Sequence, residues 1–213
     1  MDTFVVMVAL FVVPAFGAVL IAALRLGGGD HSPTNLDADA VLATARGVAE
    51  EDVARFGEEL QRLDRAVDDQ PLDAGLSRDW SHALDAHGHA REALAGARRP
   101  DDVRQVTFIL EDGHHALACV RARLEGRALP QRRPPCFFNP AHGPSVTDVW
   151  WTPPAGAGRD VPACAADADR VRAGADPNIR TVAVGGERVP YWDGGRGFAP
   201  WIEGYYRRWP GSP

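Results

Sequence analysis

The pattern of hydrophobic and polar positions changes twice along this chain, dividing it into three parts. Residues 3–24, TFVVMVALFVVPAFGAVLIAAL, are 22 consecutive residues without a charge, between Asp2 and Arg25. At the rise of an α-helix this run reaches about 33 Å, enough to cross a bilayer core with slight tilt. Backbone groups in hydrocarbon must bond within their own segment, so the reading is one transmembrane helix, with Pro14 and Gly17 tolerated. A cleaved secretory signal would want a basic start and a shorter apolar core. Met1-Asp2-Thr3 supplies no basic residue. Residues 25–35 follow as a short linker, where three glycines and Pro33 suppress helix.

The second part carries helical periodicity. In residues 36–69, Val41, Ala45, Val48, Ala49, Val53, Phe56, Leu60, Leu63 and Val67 share one face, with Glu50, Glu51, Asp52, Glu58 and Glu59 mostly opposite. Ser77 reads as the N-cap of a second helix over 78–97, whose face would hold Trp80, Leu84, His87, Arg91 and Leu94. A third helix, from 102 to about 127, steps by three or four through Val103, Val106, Leu110, Gly113, Leu117, Val120 and Leu124. That seam suits either a shared core or self-association. Residues 36–127 are therefore expected to form an antiparallel unit of about three helices.

After a second linker, residues 128–135, the helical period disappears, and glycine, proline and aromatic residues dominate. Residues 146–152 read as a strand with 161–164 as its partner, 165–173 as a short helix, and 181–184 with 188–191 as a hairpin around Gly185-Gly186. The aromatic tail, including Trp192, Phe198, Trp201, Tyr205, Tyr206 and Trp209, should pack on this small sheet or form a contact surface. The expected fold class is mainly α: one N-terminal transmembrane helix, a helical domain over 36–127, and a small α+β, cysteine-containing module over 136–209.

Charge narrows the functional classes. The net charge is −6 and every basic residue is arginine. No basic footprint marks a nucleic-acid binder. Arg121, Arg123, Arg127, Arg132 and Arg133 form a local basic run, read as helix-end charge before a proline linker, with lipid or phosphate contact as the alternative. Arg25 against Asp2 places the C-terminal bulk in the cytoplasm by the positive-inside rule. The expected setting is the cell membrane, with lipid contacted through residues 3–24.

Candidate chemistry is confined to one constellation. Cys136-x5-His142, then a hairpin, then Cys164-x2-Asp167 opening a helix is the order of a treble-clef zinc module. Thiolate, imidazole and carboxylate all bind Zn²⁺, although five intervening residues exceed the usual spacing and aspartate is the poorer structural ligand. Three states compete: zinc, a Cys136–Cys164 disulfide, and two unlinked thiols. His82, His87, His89, His114 and His115 show no metal-ligand pattern and read as ordinary histidines, and Cys119 as a small buried apolar residue. No GxSxG, P-loop, dinucleotide fingerprint or HExxH is present, so no catalytic residue is assigned.

The segments CFFNPAHGPSVTDVWWTPP, RDVPACAADADRVRAG and RVPYW, after a helix ending ALACVRARLEGRALP, resemble a C-terminal region of uncharacterised actinobacterial single-pass membrane proteins. A similar region occurs in some TPM-domain-containing proteins, though this chain has no room for that domain. The resemblance implies membrane location and an ordered cysteine-containing module, without an activity. The reading is a membrane-anchored scaffold or interaction protein with a protein partner or self-association. The alternative is a membrane-anchored enzyme or metal-binding sensor using Cys136, His142 and Cys164.

Overall fold

A computed structural model describes residues 33–70, 73–154 and 156–206. The membrane helix expected at residues 3–24 and the aromatic Trp209 lie outside them. No helix among the described residues is long and apolar enough to cross a membrane. The chain divides between Asp39 and Ala40 into two compact units, and the second holds the core and the candidate site described below.

The described fold is mainly helical with a small strand portion. Helix α1 (Pro33–Asp68) starts on a proline expected in the linker, which its fixed φ and missing N–H permit in a first turn. Helix α2 (Ala74–Gly96) is capped by Asp73, not Ser77. The Asp73 carboxylate accepts the Gly75 and Leu76 N–H groups, each at 2.7 Å, so the helix starts a turn early. Helix α3 (Pro100–Leu124) opens with proline in its first turn, and the Asp102 carboxylate accepts from the Arg98 and Arg99 amides. Leu76 at the start of α2 packs with Val120 near the end of α3 and Val67 near the end of α1. Consecutive helices therefore run antiparallel, and α1 lies parallel to α3.

The α1 and α3 faces are buried as their periodicity predicts: Ala45, Ala49, Phe56 and Leu60 meet Val103, Val106, Leu110 and Leu117 in one core. The α3 seam is thus packed within the chain itself. The α2 face differs from expectation. Its buried residues are Leu76, Ala83, Ala86, Ala90 and Leu94, while Leu84 is 46% exposed. Alanines permit a close helix approach that the larger residues of the expected face would block. At Gly113 in α3 an added Cβ would lie 2.7 Å from the Phe56 ring and 2.9 Å from Ala86 Cβ.

Beyond the helices, β1 (Thr147–Trp151) pairs antiparallel with β2 (Arg159–Ala163), Val149 opposite Val161. Helix α4 (Ala165–Arg172) follows directly. Strands β3 (Thr181–Val184) and β4 (Glu187–Pro190) pair with Val184 opposite Glu187. Gly185 and Gly186, both at positive φ, close this tight turn. Phe137, Phe138, Trp151 and Trp192 gather over the first sheet, Phe137 stacking on Trp192 at 4.8 Å.

Part of the tail departs from the expected packing. Phe198 and Trp201, the latter in α5 (Ala199–Tyr206), join the helical core instead of the small sheet. A buried polar joint draws them there. Asp52, expected on the outer face of α1, is only 4% exposed and accepts from Trp201 Nε1 at 2.8 Å and from Arg180 at 2.9 Å. A buried carboxylate with a guanidinium and an indole donor has its hydrogen-bonding needs met, which periodicity cannot reveal.

Candidate metal centre

The first ligand pair sits on a loop shaped by its own turn residues. Asn139 accepts the Ala141 N–H on its side chain and caps the 3-10 turn Pro140–His142. Gly143, at φ +81°, reverses the chain, a conformation that favours glycine. The Cys136 N–H then donates to Gly143 O at 3.0 Å, closing the loop. Donation from Phe137 N–H to Pro162 O and from Val146 N–H to Ala163 O fixes the loop on strand β2.

The second pair is set by a helix start. Cys164 is the N-cap of α4, and Asp167 lies three residues on, in the same first turn. Asp167 is fully buried, and its Oδ1 accepts the Asn178 N–H at 2.8 Å, which turns Oδ2 toward Cys136, His142 and Cys164.

Cys136, His142, Cys164 and Asp167 converge, with one donor atom of each lying within 4.8 Å of all the others. Asp167 Oδ2 stands 2.9 Å from His142 Nδ1, 3.3 Å from Cys136 Sγ and 3.4 Å from Cys164 Sγ. His142 Nδ1 and Cys164 Sγ are 3.7 Å apart. Ligand atoms around a tetrahedral ion, with bonds of about 2.3 Å to sulfur and about 2.0 Å to nitrogen or oxygen, stand about 3.3–3.8 Å apart. These four separations match that spacing or fall slightly inside it, and Cys136 Sγ lies within 4.8 Å of Cys164 Sγ and of the His142 ring nitrogen. The four side chains could therefore hold a metal ion. Both cysteines are free thiols, not joined to one another.

Electrostatics favours the same use. The neighbouring Cys136 sulfur pulls the Cys164 thiol down to about 5, against the effect of burial and with help from His142. Cys136 itself is pushed up by Cys164 and by burial. Burial would raise Asp167, but the Asn178 amide and the two thiols outweigh it and hold the carboxyl low. Burial would lower His142, yet contact with Cys164 and Asp167 raises it. Without metal, protons hold these groups together. A divalent cation would replace the protons and release them to solvent.

No family model, curated protein or solved structure matches this chain. The site therefore rests on its own geometry.

None of the remaining sequence candidates joins the four-residue set, although His114 packs beside Gly143 of the loop. His114 is buried in the helical unit, its ring 4.7 Å from that of Phe56, and burial lowers its pKa. The His87 ring packs against Gly57. Cys119 is 7% exposed, with Sγ 3.8 Å from His115 Nε2. Each arginine of the basic run faces a carboxylate: Arg121 with Glu59, Arg123 with Asp79, Arg127 with Glu125, Arg132 with Asp112, and Arg133 with Asp148. Sequence reasoning missed Asn139 and Asn178 as supports. Asn139-Pro140 carries a turn-initiation signal that could have revealed the first, whereas Asn178 acts through its backbone and leaves no signal.

Proposed function

We propose that this chain is a membrane-anchored interaction protein whose C-terminal module is stapled by a structural zinc ion. The convergence of Cys136, His142, Cys164 and Asp167, brought from a loop and a helix start to within 4.8 Å of one another, carries the zinc reading. Mixed sulfur, nitrogen and oxygen donors suit this borderline-soft ion. Four protein ligands leave no open position for a substrate or an activated water, so the role is structural. The module's own apolar core is small, built around Phe137, Phe138, Val149 and Val161. Such cores commonly need a staple.

The anchor at residues 3–24 and the resemblance to actinobacterial membrane proteins support the membrane setting. Trp150, 65% exposed on β1, is a candidate contact residue for a protein partner. A sensor reading has one specific observation in its favour. His142 and Cys164 line an open cleft of about 990 Å³, through which a metal could exchange.

The deciding experiment is elemental analysis of the full chain purified in detergent. One zinc per chain is expected, and chelation should expose Cys136 and Cys164 to thiol reagents while leaving the helical signal intact. Absence of zinc, with both thiols freely titratable in the folded protein, would overturn the structural reading. Rapid exchange of bound zinc under native conditions would favour the sensor.

A further inference from the structure

The two sulfurs of this centre are equivalent as ligands and unequal in access. Cys136 is fully buried within the aromatic cluster. Cys164 is half-buried and lines the open cleft with His142, Ala165 and Arg170. The sulfur atoms lie within 4.8 Å of each other and come from separate segments, the loop and the helix cap. A small oxidant entering the cleft meets Cys164 first, with Cys136 waiting behind it.

Building on the zinc reading, we propose that the centre is a site of reversible oxidation by hydroperoxides. Cys164 is the attacking thiol and Cys136 the resolving one, and metal is released. The Cys164 sulfur attacks one peroxide oxygen, the O–O bond breaks, and the other oxygen leaves as an alcohol or water after taking a proton. Cys164 becomes a sulfenic acid, two electrons having passed from sulfur to peroxide. The Cys136 thiolate then attacks that sulfur, the S–O bond breaks, and the oxygen leaves as water with a second proton. The disulfide formed can no longer supply two anionic ligands, so the ion departs with its charge unchanged. A dithiol reductant returns the two electrons and allows metal to rebind. Side-chain rotation must close the sulfur gap to about 2.05 Å, a movement open to Cys164 at the cleft wall.

The proposal is tested on the full chain carrying its metal, treated with hydrogen peroxide. Released zinc is followed with a chromophoric chelator and the thiols by mass spectrometry without reduction. One zinc should appear per Cys136–Cys164 disulfide, and dithiothreitol with added zinc should restore the starting state. Cys119→Ser should behave like the unaltered chain. In Cys136→Ser the reaction should stop at a sulfenic acid on Cys164 that a 1,3-dione traps. Retention of zinc with both thiols unmodified would overturn the proposal and leave the structural reading standing. So would stepwise oxidation of Cys164 to the sulfinic acid with no disulfide. A chain that carries no zinc before peroxide is added would overturn the structural reading itself.

Discussion

Close approach at a single residue has measurable consequences. Alanine is the better helix former, yet at Gly113 its Cβ would strike Phe56 and Ala86. We expect Gly113→Ala to destabilise the protein by about 1–3 kcal/mol through overpacking. Gly88, exposed in α2 with nothing within 4 Å of an added Cβ, is the control. Gly88→Ala should stabilise by about 0.5–1 kcal/mol. Denaturant midpoints that move the same way in both variants would contradict the packing described. His114 gives a pH dependence. Its pKa in the fold is lowered, chiefly by burial, so above the unfolded value of about 6.5 both states are neutral and stability is complete. As pH falls through that value the unfolded chain takes up the proton that the fold resists, and stability declines. Denaturant titrations with chelator present, at about pH 7.5 and about pH 5.5, should show the loss, and His114→Gln should reduce it. An unchanged pH slope in the variant would exclude this histidine as a source.

At the level of elements, what the sequence disclosed depended on how each element is stabilised. Helices α1 and α3 were legible because their large apolar residues recur at helical spacing. Both hairpins were legible through alternation and turn glycines. The α2 face was not, since the alanines that form it carry too little hydrophobic contrast to outweigh Trp80 and Leu84. Asp52 and Trp201 were misplaced for a related reason. Their burial depends on partners far along the chain, whereas the convergence of Cys136, His142, Cys164 and Asp167 was readable because its loop, hairpin and helix cap are consecutive. The α3 seam supports a sharp expectation. Leu110→Asp or Leu117→Asp should cost about 3 kcal/mol or more by burying an unpaired charge. If the seam served a partner alone, the melting temperature would hold while association was lost. Unchanged behaviour in both respects would contradict its burial.

For the whole molecule, the first expectation is orientation. If Arg25 against Asp2 sets the orientation, with the C-terminal bulk in the cytoplasm, a C-terminal alkaline phosphatase fusion should be inactive, and strong activity would reverse the assignment. The second expectation comes from the short stretch running from Asn178 to Arg180. At one end its backbone N–H holds the candidate ligand Asp167. At the other, the Arg180 side chain is locked to Asp52 in α1, and its amide donates to Phe138 O. Ligand orientation and helix docking thus share one stretch of backbone, and thermodynamic linkage requires influence between them to be reciprocal. Whatever free energy an ion adds to the order of this stretch must reappear as a loss of ion affinity when its far end is released. Asp52→Ala touches no atom of the candidate site, yet it removes the buried partner of Arg180 and the acceptor of Trp201 Nε1, leaving Arg180 only the exposed Glu51 carboxylate at 3.8 Å, at a cost of about 3 kcal/mol to the fold. Competition with a chelator should then show weaker metal retention in a variant whose four ligands are all intact. Affinity equal to that of the unaltered chain would show the two ends to be energetically independent.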